Sequence, residues 1–152
     1  MKSLPSSATD REIRELVVEW SELLAEERYA EAIAMFPYSG DWTPQLLKST
    51  IEGYGVSESD PSTLAELHEE FEVDRLVVTN LRGRDHFEDI LDNYIEVDRE
   101  NLYGLDPKEY AGMVHYGEVP LCGYRSDLTA RFHIKRIGEH EITLEFLDLH
   151  VM

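Results

Sequence analysis

The chain has a single cysteine, Cys122, in 152 residues. One thiol closes no internal disulfide, so the fold relies on its core, and a reducing compartment suits it. No apolar run approaches the roughly 18 residues of a membrane-spanning helix. The polar start MKSLPSSATD also lacks the apolar stretch of a signal peptide. A cytoplasmic location is therefore expected. Basic residues are scarce, with 14 Lys and Arg against 32 Asp and Glu, a formal net charge of −18. Without a basic face, unaided binding to nucleic acid or to an anionic membrane is excluded. There is no glycine-rich phosphate cradle, so nucleotide hydrolysis and dinucleotide binding have no support. The six histidines, His68, His86, His115, His133, His140 and His150, show no H-E-x-x-H or comparable spacing. Asp85, His86, Glu88, Asp89 and Asp92 cluster, but without the glycine-punctuated spacing of a calcium loop. No metal and no cofactor are expected.

What is present suits a globular chain. The hydrophobic fraction is 42% and the mean hydropathy −0.39, which with this length predicts one domain over residues 1–152. Ile13, Leu16, Val17, Trp20, Leu23 and Leu24 form one stripe at 3.6 residues per turn. Thr9 with Glu12 is a capping-box pattern that starts this helix at Asp10. A second helix is expected over about 29–36, stopped by Pro37. Thr43-Pro44 reads as an N-cap and first-turn proline for a third, with Leu47, Ile51 and Tyr54 on one face and Gly55 as its stop. Asp60-Pro61 opens a weaker fourth, carrying Leu64, Leu67, His68 and Phe71.

From about residue 71 the apolar period moves towards two. Strands are expected over 72–79, 94–99, 113–119, 128–136 and 141–151, while 85–93 fits either a helical turn or a loop. Helices followed by antiparallel strands predict an α+β fold, with N-terminal helices packed on a curved C-terminal antiparallel sheet. In the last pair, Leu128, Ala130, Phe132 and Ile134 alternate with Thr129, Arg131, His133 and Lys135. A three-residue hairpin loop at Gly138-Glu139-His140 sets Ile134 opposite Leu144, Phe132 opposite Phe146 and His133 opposite Glu145. Continued without interruption, this register brings Ala130 beside Asp148 and Leu128 beside His150, on the apolar side. A β-bulge near Phe146–Leu147 gives the other outcome, with Leu147, Leu149 and Val151 inside and Asp148 and His150 wet.

The stretches Val18-Glu19-Trp20-Ser21-Glu22-Leu23-Leu24 and Arg28-Tyr29-Ala30-Glu31-Ala32-Ile33 are followed by a long antiparallel pair. This order of elements resembles the nuclear transport factor 2-like (SnoaL-like) cone, and the resemblance implies helices closing the mouth of a curved sheet over an apolar pocket. Separately, Pro120-Leu121, Ser126-Asp127-Leu128-Thr129-Ala130 and Asp148-Leu149-His150-Val151-Met152 are similar to a bacterial domain family without an assigned activity. Its members end in an S-D-L-T strand and a D-(I/L)-H-V strand. Some carry Pro-Leu-Asn-Gly where this chain has Cys122 in place of the Asn.

Asp148 and His150 share a strand face, and an Asp beside a His orients the ring, as acid–base work requires. They are the catalytic candidates; the plainer alternative is a pair that anchors the strand end. Ser126 and Asp127 lie towards the His150 end, but no nucleophile elbow accompanies them, and a tie between side chain and backbone accounts for them equally. Cys122 has no basic neighbour before Arg125, which favours packing over a reactive thiol. Trp20, Tyr54, Asp127, Asp148 and His150 make up the candidate ligand-binding set. Residues 58–109 hold sixteen acids and five bases, most of the net charge. Two functions follow as expectations. One is a small acidic binding protein of the immunity type, docking on a basic protein partner. The other is a pocket protein that binds or transforms a small apolar ligand. Leu147, Leu149 and Val151 also mark a candidate homodimer surface. No motif specifies a reaction, so binding is favoured over catalysis.

Overall fold

A computed structural model describes residues 1–151. Its first ordered element is a two-residue strand, β1 (Leu4–Pro5), followed by α1 (Asp10–Ala25), α2 (Tyr29–Met35), α3 (Pro44–Glu52), α4 (Pro61–Phe71) and α5 (Phe87–Tyr94). The strands β2 (Ile95–Asp98), β3 (Tyr110–Tyr116), β4 (Leu128–Arg136) and β5 (Glu141–Val151) complete the chain. They form one antiparallel sheet in the order β1-β5-β4-β3-β2. The fold is α+β, with helices packed on a curled sheet.

The helices start where their caps dictate. The Thr9 hydroxyl accepts from the Glu12 N–H while the Glu12 carboxylate accepts from the Thr9 N–H, the reciprocal box. Thr43 and Asp60 cap α3 and α4 without the reciprocal half, their side chains accepting from the Leu46 and Thr63 N–H groups, each ahead of a first-turn proline. α3 ends in a left-handed turn: the Tyr54 N–H donates to Ile51 O and the Gly55 N–H to Thr50 O, with Tyr54 at φ 53°.

One face of the sheet is covered. Trp20, fully buried, meets the Phe132 ring edge-on at 5.1 Å and the Phe146 ring at 5.3 Å. Its indole N–H donates to the Tyr38 hydroxyl at 3.0 Å, and that hydroxyl donates to Ala32 O. Ser21 and Tyr116, both fully buried, satisfy each other through a 2.7 Å hydrogen bond. Burial pushes the Tyr116 phenol well above its ordinary range.

Two expectations need correction. Residues 72–79 are not a strand. Leu76 and Val78 are buried, which gives the alternating pattern, yet the Glu72 and Val73 N–H groups donate back into α4, and the rest meets the 120–122 loop through an isolated bridge, with Thr79 N–H donating to Pro120 O and Cys122 N–H to Val77 O. β3 lies three residues earlier than expected, and beyond Tyr116 the Gly117 N–H turns to Tyr94 O. The segment left open, 85–93, is mostly α5, whose N-cap, His86, is left-handed and makes no side-chain cap. β1 has no counterpart in the sequence pattern, being too short for a period.

Candidate functional site

The hairpin register holds up to Phe132. Ile134 faces Leu144, His133 faces Glu145 and Phe132 faces Phe146, and the Ile137 N–H donates to Glu141 O across the turn. The ladder then slips by one: Arg131 pairs with Asp148, Ala130 with Leu149, Thr129 with His150 and Leu128 with Val151. Leu147 is the extra residue of a β-bulge. The outer edge of β5 is engaged at the same point, where the Phe146 N–H donates to Pro37 O and Phe146 O accepts from the Ser39 N–H. The slip keeps Leu149 in the core after Phe146. It also moves Asp148 and His150 off the apolar side, so the uninterrupted register is overturned. Val151 is 41% exposed and Leu147 half-buried, so of the three alternating residues only Leu149 turns fully inward.

Asp148 and His150 therefore stand with Arg131 on the face of the sheet opposite the helix-covered core. The Arg131 guanidinium donates twice to the Asp148 carboxylate, at 2.9 and 2.5 Å, and the His150 Nδ1 lies 3.1 Å from the same carboxylate. Partial burial pushes the Asp148 carboxyl up, but the Arg131 guanidinium and then the His150 ring outweigh it and hold it below the usual carboxylate range. A carboxylate engaged in this way orients a histidine and pins the strand end. Further along the face, Glu145 accepts from Lys135 at 3.2 Å and lies 3.3 Å from His133 Nδ1, with the Tyr110 ring edge-on to His133. Sequence reasoning named the His133–Glu145 register but not this cluster, because Tyr110 arrives through a β3 bulge before Gly112.

The remaining candidates separate. Trp20 is sealed in the core, on the other face of the sheet from Asp148 and His150. Tyr54 and Asp127, 73 residues apart in sequence, come together: the Asp127 N–H donates to the Tyr54 hydroxyl at 2.9 Å. Both line a hollow of about 380 Å³ with Phe71, Tyr124, Glu118 and Arg125. The Ser126 hydroxyl donates to Val119 O and accepts from the Leu128 N–H, tying the turn beneath this hollow. The Cys122 thiol points at the carbonyls of Arg75 and Val77, 3.7 and 3.8 Å away. A roomier hollow, about 600 Å³, lies between α1, α2 and the N-terminus. Its carboxylates are already engaged: Glu19 with Lys2, Glu26 and Glu31 with Arg28, and Glu22 with the backbone N–H groups of Leu81 and Arg82.

Charge is distributed unevenly over the surface. Three of the five bases in residues 58–109 reach back to the N-terminal segment: Arg75 to Glu27, Arg82 to Glu15 and Arg99 to Asp10. Glu66, Glu69, Glu70, Glu72 and Asp74, on α4 and the turn after it, are exposed and make no ion pair among the described residues. α4 buries none of its residues fully.

No protein-family model, curated protein or solved structure matches the chain.

Proposed function

We infer that the chain is a binding protein whose acidic middle region docks on a basic protein partner, in the manner of an immunity protein on a secreted toxin. The supporting observation is the set of exposed, uncompensated carboxylates on α4 and the turn that follows it. Such a patch raises the rate of encounter with a positively charged surface and makes association salt-sensitive. Solubility alone accounts for net charge. It gives no reason for Arg75, the first arginine after α4, to reach Glu27 and Glu52 while the α4 carboxylates stay bare.

The test uses purified protein and any basic partner that copurifies at low salt or is encoded next to it. The expected result is a dissociation constant that rises steeply between 50 and 300 mM salt, settings chosen about the Debye length of ~10 Å at 0.1 M. Neutralising four carboxylates together (Glu66→Gln, Glu69→Gln, Glu72→Gln and Asp74→Asn) should slow association about tenfold or more while leaving dissociation nearly unchanged. An association indifferent to both salt and this variant would overturn the reading. The second reading, a small ligand, is supported only by the hollow that joins Tyr54 to Asp127. Trp20 has no part in it.

A further inference from the structure

We propose that the hollow between the end of α3, the end of α4 and the loop before β4 is the seat for one cationic side chain, an arginine or lysine, of the basic partner. The proposal rests on the acidic-docking reading and places its anchor.

Three observations converge. The walls are aromatic: Tyr54 and Phe71 meet at 5.5 Å and 53°, and Tyr124 stands beside them with 61% of its surface exposed. Aromatic faces attract cations through the ring quadrupole. The rim is acidic, since Glu70, Glu118 and Asp127 line the same hollow and none makes an ion pair among the described residues. The site is also built in advance. Tyr54 is locked by the left-handed turn after α3 and by the hydrogen bond from Asp127 N–H to its hydroxyl. A pocket already in shape loses little entropy on binding.

Arg125 is the one base in the hollow, and it answers the obvious objection. Its guanidinium lies 4.5 Å above the Tyr94 ring, paired with a π-face rather than with any of the three carboxylates. The aromatic walls and acidic rim thus remain available to an incoming cation. Glu70 belongs both to the hollow and to the exposed acidic run of α4, so the steering patch leads directly to the seat.

The test titrates the full chain with N-acetyl-arginine-amide and with a nona-arginine peptide, followed by amide chemical shifts. Saturable shifts at Ser126, Asp127 and the turn after Tyr54 are expected. Tyr124→Ala truncates an exposed ring and should weaken the peptide about three- to fivefold. Glu118→Gln with Asp127→Asn should weaken it further. Arg125→Gln removes the resident charge and should tighten it, whereas a seat for an anionic ligand would lose affinity on the same change. If the peptide binds with steep salt dependence but shifts only α4 amides, and Tyr124→Ala is silent, the seat is wrong and the docking reading stands. If no cationic probe binds at low salt, both fall. Shifts at the hollow with an uncharged apolar probe of similar size, equal to those with the arginine amide, would also overturn the cation assignment.

Discussion

Asp148 sits between the Arg131 guanidinium and the His150 ring, both of which favour its ionised form. Its depressed carboxyl sets the sign of a pH effect. In the unfolded chain the group titrates near the ordinary ~3.9, so its contribution is complete above that pH and is lost as pH falls through the lower folded value. Asp148→Asn should cost on the order of 1 kcal/mol near neutrality, the low end for a bidentate pair because both partners are about a third exposed. Urea unfolding of the two proteins at pH 7 and pH 2.5 measures it; a gap that stayed constant with pH would refute the linkage. Ser126 works at the same scale, since one hydroxyl joins Val119 O to the Leu128 N–H and holds the loop that carries Asp127.

Elements are placed by contacts that a one-dimensional pattern shows only in part. The capping signals of α1, α3 and α4, and the full extents of β4 and β5, were legible because each rests on residues adjacent in sequence. The bulge at Leu147 was legible only as one of two outcomes. The apolar parity of residues 144–151 switches after Phe146, to Leu147, Leu149 and Val151, and what engages the other edge of β5 beside Phe146 is Pro37 to Ser39, a hundred residues earlier in the chain. That long-range contact is also why Asp148 and His150 were candidates for the wrong side of the sheet, while Tyr54 and Asp127 were named without any sign that they touch. The strand pairs depend on close approach too. At Gly112, φ is +148° and an added Cβ would lie 2.3 Å from Asp98 O, in the neighbouring β2 chain end. Gly112→Ala must push β2 away from β3, and a loss of about 2 kcal/mol or more is expected by analogy with other strained or overpacked sites. Denaturation midpoints give the loss; hydrogen exchange should show it concentrated in β2 and β3.

At the scale of the whole molecule, a net charge of −18 repels itself. Several surface ion pairs relieve this locally, among them Arg11–Glu88 at 2.8 Å and Arg99–Asp10 at 2.9 Å, but exposed pairs contribute little individually. The unpaired carboxylates of α4 should therefore dominate the response to salt. The melting temperature should rise by a few degrees as monovalent salt increases from about 20 to 300 mM, because screening shortens the reach of repulsion. A calorimetric scan that showed a fall would mean that attractive pairs outweigh the repulsion.

The sheet order also constrains how the chain is made. β1 lies against β5, so β1 waits for the translation of a strand well over a hundred residues later before it finds this partner. α1 waits as well: the rings that bury Trp20 belong to Phe132 and Phe146. At typical synthesis rates of ~5–20 residues per second, this helix emerges on the order of ten seconds before its packing surface exists. Throughout that interval the side of its apolar stripe that meets the sheet has no partner, and the helix can pack only against neighbours such as α2.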